Sequence, residues 1–269
     1  MIIARIFPKK SENFKSFQPF FQNLGDNMDS GGWIRIFSFW TLIVAGIVLN
    51  MDLENRYVYW NWEGWELGFG KLIVASFIYF YFLNPNNLWI IGARRLKNKE
   101  IVIHSIIAFV LLYIGSIGSN SLLPNFMGIL SYLIAFLSCL LIFQFPLALD
   151  KDKGIWNCFD WNNKMQYFLL SLLLMVASVI LGVFLDDPIM STAGTVSVAF
   201  PLVGLIWPNH VRHLQRARFF PLFTFSMFLC VRAPWFLIPL CILFFLIRTI
   251  NYFRFGIVYP SFGVDFLED

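Results

Sequence analysis

Charge is scarce in this chain. Asp, Glu, Lys and Arg together make up 13% of the 269 residues, about half of what a globular domain in water carries. A soluble core of this length needs a shell of Lys and Glu around it, so a soluble globular protein is excluded. Cysteine is sparse too. Cys139, Cys230 and Cys241 fall in apolar runs and Cys158 stands alone in a loop. With no CxxC pair, neither a disulfide framework nor a zinc knuckle is indicated. The apolar run 1–7 is too short for a cleaved leader and ends in Pro8-Lys9-Lys10. No repeat relates the two halves, no linker divides the chain, and no HExxH or similar metal or catalytic signature is found. The intramembrane proteases, prenyltransferases, acyltransferases, rhodopsins and cytochrome b proteins each need signature residues that are missing at the required spacing, so no family is named.

Apolar length is abundant. Hydrophobic residues make up 58%, aromatics 19%, and the mean hydropathy is +0.68. Eight runs approach the length that crosses a hydrocarbon core: 34–50, 67–83, 101–119, 126–148, 165–185, 190–207, 219–231 and 234–250. They do not alternate inward and outward as barrel strands do, and the backbone in lipid must bond to itself. The expected fold is therefore all-α, a polytopic transmembrane helix bundle of about eight segments. The seventh is short for a crossing and could form a re-entrant hairpin with the eighth. Three regions follow: a basic and aromatic interfacial segment at 1–33, the bundle at 34–250, and a tail at 251–269.

Basic residues orient the chain. With eight crossings, 17 of the 20 Lys and Arg fall on one side, leaving Arg56, Lys71 and Arg232 on the other. The positive-inside rule then puts both termini in the cytoplasm and the bundle in the cytoplasmic (inner) membrane. Arg232 needs a partner if buried, and Asp186 and Asp187 are the first candidates. In 1–33, Lys9, Lys10 and Lys15 interleave with Phe7, Phe14, Phe17, Phe20 and Phe21, which suits a segment lying on anionic lipid. A loose tail is the simpler alternative.

Few groups could carry chemistry. His104, His210 and His213 all lie at cytoplasmic helix ends, and His210 and His213 share a helical face. They are candidate acid–base residues and, with Cys158, candidate ligands for zinc. His104 with one of the pair could also hold a haem. Interfacial polarity explains them as simply, so no metal or cofactor is expected. Arg94, Arg95, Arg212, Arg216 and Arg218 could grip a phosphate, because the guanidinium fork matches two oxygens, although topology alone asks for basic residues there. Trp60, Trp62 and Trp65 in "NRYVYWNWEGWE" fit an aromatic belt that docks a partner better than a sugar site. Tyr259 and Phe262 in the apolar tail call for a packing partner. The segment interiors hold almost no ionisable group, which argues against ion-coupled transport.

The leading expectation is a non-catalytic integral subunit or anchor of a larger membrane complex, with anionic lipids and other subunits as partners and no nucleic acid. The alternatives are an enzyme or binder of a phosphorylated lipid at the cytoplasmic face, and a transporter of a neutral or lipidic solute.

Overall fold

The structure, a computed structural model, describes residues 2–31, 33–51, 62–81, 96–118, 125–145, 147–150, 155–158, 162–256 and 265–266. Helices dominate: α1 (Ile2–Ile6), α2 (Glu12–Ser30), α3 (Trp33–Leu49), α4 (Trp65–Tyr81), α5 (Asn98–Ser116), α6 (Phe126–Phe143), α7 (Lys164–Phe184), α8 (Pro188–Ile206), α9 (Val211–Arg232) and α10 (Leu237–Phe255). Five are long and apolar enough to cross a membrane: α5, α6, α7, α8 and the run Pro234–Phe255 that contains α10. Two further helical stretches, Ile36–Leu49 and Pro221–Arg232, are apolar but shorter.

Three segment bounds differ from expectation, the eighth in that its helix runs to Phe255 rather than 250. The fourth run ends at Phe143 rather than 148, since a proline at 146 disfavours α conformation at the residue before it and Leu147–Asp150 forms strand β1 instead. The seventh run, 219–231, is the apolar part of a 22-residue helix that starts at Val211. A helix of that length extends about 33 Å. A small sheet also joins the helices: β1 pairs antiparallel with β2 (Ile155–Cys158) and parallel with β3 (Asp265–Phe266). Part of the C-terminal tail therefore packs on the chain's own loop.

Capping sets several helix starts. Asn125 accepts from Gly128 N at 3.0 Å to open α6, and Asp187 accepts from Ile189 N and Met190 N at 2.9 and 3.0 Å to open α8, followed by Pro188 at its first position. Gly256 closes α10 at φ 63°, a left-handed turn suited to glycine.

Helix α3 sits centrally, against α4, α5, α6 and α9, while α6, α7, α8 and α9 pack as sequential neighbours. Lipid-like surroundings give no hydrophobic force between helices, so close approach and polar pairs hold them. Gly46 and Gly115 let α3 and α5 touch backbone to backbone: a Cβ at Gly46 would stand 2.8 Å from Gly115 Cα. Ser138 and Ser171 bond reciprocally across α6 and α7, each hydroxyl donating to the other's carbonyl at 2.7 and 2.8 Å. Thr41 and Ser226 hydroxyls lie 2.9 Å apart between α3 and α9, and Trp40 Nε1 donates to Ser76 Oγ at 2.9 Å between α3 and α4. Large apolar side chains such as Leu173, Val183 and Phe184 of α7 and Ile242 and Phe245 of α10 point outward, which fits a lipid-facing surface.

The N-terminal segment is not a loose tail. Phe14, Tyr252 and Phe253 form a small core with Ile3, Phe7 and Phe21. Phe21 stacks on Phe253 with centroids 4.4 Å apart, and Arg254 reaches Asp26 at 2.6 Å. The N-terminal helices and the end of α10 order each other.

Candidate functional site

The stretch "NHVRHLQRARFFPLF", 209–223, supplies the densest set of candidate side chains within the described residues. His210 caps α9 through its backbone, accepting from His213 N and Leu214 N, and its side chain makes no cap bond. The His210 and His213 rings lie 4.1 Å apart, and Trp207 packs 5.3 Å from His213. Lys164, at the start of α7, donates to Asn209 Oδ1 at 2.9 Å and sits 5.3 Å from the Phe145 ring, pinning the α8–α9 turn to α7. No acid occupies the first turn of α9. The positive end of the helix dipole therefore adds to the charge of Arg216. Burial, His210 and Arg216 hold the His213 imidazole below its ordinary value. This end of α9 is electropositive and suited to an anion, with a neutral imidazole available as a base.

Of the other expected residues, those whose side chains are described, His104 and Arg218 among them, are held elsewhere. His104 is buried on α5, 1% exposed, with Nδ1 donating to the Glu100 carbonyl one turn back. Arg218 is 2% exposed, donates to the Leu147 carbonyl at 3.4 Å and lies over the Phe143 ring at 5.0 Å. It ties α9 to β1 and α6. Arg216 is exposed. Arg94, Arg95, Trp60, Tyr259 and Phe262 lie outside the described residues, as do the side chains of Arg212 and Cys158. Trp62 and Trp65 are both exposed, and Trp65 meets Phe69, which packs on the buried Trp235. Among the described residues no group of three or more His, Cys, Asp or Glu is placed to hold a metal ion.

A second polar cluster forms at the opposite helix ends. Asp187 and Arg232 are both buried, and Arg232 attracts the Asp187 carboxylate. Burial pushes the Asp187 carboxyl above its ordinary value, opposed by the N–H groups of Met190 and Ile189, the Tyr132 hydroxyl and Arg232. On the same topology, Lys71 Nζ donates to the carbonyls of Gly115 and Ile117 at 2.7 and 2.6 Å, a cation closing the C-terminal end of α5.

Tyr132 and the serine pair were not singled out from the sequence. Their signal is weak: a hydroxyl on an apolar helix is common, and only its facing partner gives it meaning. Between α3, α6 and α9 lies an apolar cavity of about 60 Å³, walled by Thr41, Leu42, Ala45, Tyr132, Phe136 and Leu229. An engineered cavity that admits benzene is roughly 150 Å³, so this space is smaller than an aromatic solute. Comparison with protein-family models, curated proteins and solved structures gives no match.

Proposed function

We propose that this chain is a non-catalytic integral subunit or anchor of a larger assembly in the cytoplasmic membrane. In this reading all eight apolar runs cross, α9 included, and both termini lie on the cytoplasmic side. The 17-to-3 division of Lys and Arg supports that orientation.

One observation carries the non-catalytic reading: four of the ionisable side chains described on the helices are engaged by the chain itself. His104 bonds α5, Lys71 closes the end of α5, Lys164 holds the α8–α9 turn, and Arg218 bonds β1. Catalytic groups instead face a site where a reacting atom can stand. The test is affinity purification of a tagged copy in mild detergent, with mass spectrometry of what accompanies it. Stoichiometric partner subunits are expected. A monodisperse chain that is active and partner-free would sink the proposal.

The electropositive end of α9 favours a second reading, a binder of phosphorylated lipid at the cytoplasmic face that uses His210, His213 and Arg216. The double variant H210A/H213A separates the two. It leaves complex assembly and cellular function intact under the first reading and abolishes function under the second.

A further inference from the structure

The way α2 meets α10 carries an inference beyond the subunit reading and independent of it. Four positions of α2 touch one short piece of α10. Phe14 packs on Tyr252 and Phe253 with centroids at 5.3 Å for each, Phe17 and Phe21 reach Phe253 at 6.1 and 4.4 Å, and Gly25 abuts the Arg254 side chain. From 14 to 25 a helix advances about 16 Å, whereas 252 to 254 covers only about 3 Å. Helix α2 therefore crosses the end of α10 steeply instead of running beside it. The run that contains α10 is long and apolar enough to span a membrane; where it does, α2 lies along the membrane plane at that end.

Its faces are sorted accordingly. At 100° per residue, Phe14, Phe21 and Gly25 lie together and are covered by α10. Next to them on the wheel come Phe17 and Phe20, which are 45% and 63% exposed. Lys15, Gln22, Asn23 and Asp26 fill the far side. The preceding short helix adds Ile2 and Ile6, exposed at 75% and 62%. Across residues 1–15 there are four basic residues against one acid, Glu12, and Arg5, Lys9, Lys10 and Lys15 are all exposed. An uncovered apolar edge on a segment whose exposed cations lie just before α2 and on its far side matches a leaflet of anionic phospholipid, with apolar groups at the acyl boundary and cations at the phosphates.

We propose that α1–α2 is a preassembled in-plane platform that binds anionic phospholipid in the leaflet at the end of α10. Ile2, Ile6, Phe17 and Phe20 enter the acyl boundary, and Arg5, Lys9, Lys10 and Lys15 serve the headgroups. The latch of Phe14 and Phe21 on Phe253 fixes the platform before lipid arrives, so little ordering cost remains at binding.

The test places a photoreactive benzoylphenylalanine at position 20 of the full chain, with position 23 as the polar-face control. The purified protein is reconstituted in nanodiscs of equal phosphatidylcholine and phosphatidylglycerol, irradiated and analysed by mass spectrometry. Position 20 should yield phospholipid adducts enriched about fivefold in phosphatidylglycerol, the weight of one basic residue at an anionic surface. Position 23 should yield almost none. The K9E/K10E/K15E variant should bring the adduct ratio back to that of the bilayer while position 20 still reaches lipid. Equal lipid adducts at 20 and 23, or a ratio insensitive to charge reversal, would overturn the proposal. So would a position-20 probe that, in native membranes, captures a protein in place of lipid.

Discussion

The α3–α5 contact makes a sharp test of the fold, because one methyl group should be enough to disturb it. A Cβ at Gly115 would stand 2.9 Å from Gly46 Cα and 3.0 Å from the Ile43 carbonyl carbon, and closer still to the Ile43 oxygen. Ordinary contact begins at 3.4 Å, so Gly115→Ala requires the two helices to part by about half an ångström or more. A gap of that size forfeits roughly a quarter or more of each dispersion contact along the seam, and overpacking of this kind costs about 1–3 kcal/mol. Alanine recovers about 0.5–1 kcal/mol of helix preference over glycine. The net expectation is a loss of up to about 2.5 kcal/mol. The separation also displaces the Gly115 carbonyl that accepts from Lys71. Gly70 is the internal control: it lies within α4 and a Cβ there meets nothing within 4 Å, so Gly70→Ala should be neutral or gain about 0.5–1 kcal/mol. Adding Gly46→Ala to Gly115→Ala should cost less than the two single losses combined, because one separation accommodates both methyls. Equilibrium unfolding by SDS titration in mixed micelles measures all four variants. If Gly115→Ala proves as stable as Gly70→Ala, the two backbones are not in contact and the placement of α3 is wrong.

Three further expectations follow from individual contacts. Asp187→Asn keeps an acceptor for Ile189 N and Met190 N, so it should be tolerated better than Asp187→Ala, which loses a cap worth about 1 kcal/mol. The folded carboxyl holds its proton above the ordinary value of 3.8. Wild-type stability should therefore fall as pH rises from about 4 through the folded value, because the unfolded chain has already released the proton that the fold retains. This slope should be missing from melting curves of Asp187→Asn. Phe253→Ala removes the ring shared by Phe7, Phe14, Phe17 and Phe21, and limited proteolysis should then cut within residues 1–30. Asp26→Asn should leave the protease pattern unchanged, because its amide oxygen can still accept from Arg254, whose side chain is 7% exposed against 55% for Asp26. S138A/S171A removes the reciprocal bonds between α6 and α7 and should lower stability by about 1 kcal/mol, in keeping with interhelical bonds in membrane proteins. The same SDS titration measures it.

The apolar helices were legible because their signal is one-dimensional: a run of Leu, Ile, Phe and Val is long enough for the bilayer or it is not. Helix α9 was only half legible for the same reason. Its first turns carry Arg212, His213, Arg216 and Arg218, which remove them from a hydropathy window although nothing stops the helix continuing through them. The sheet was invisible, since β3 lies more than a hundred residues from β1 and no local pattern announces a parallel pairing of two residues. Interleaved Phe and Lys at 7–21 suited an interfacial segment as well as a loose tail, and the sequence does not distinguish Phe14 and Phe21, which grip α10, from Phe17 and Phe20, which remain exposed. Only the angle between two helices separates those roles. The arginines show the limit most clearly. Arg216 and Arg218 are two residues apart and equally fit for phosphate by composition, but a helix turns them about 200° from one another. One faces solvent and the other is buried against Phe143 and the Leu147 carbonyl. A phosphate site assembled from the sequence by counting guanidiniums therefore overstates what one helix face can present. What survives at the start of α9 is narrower: two adjacent imidazoles, one exposed arginine and the positive end of a dipole.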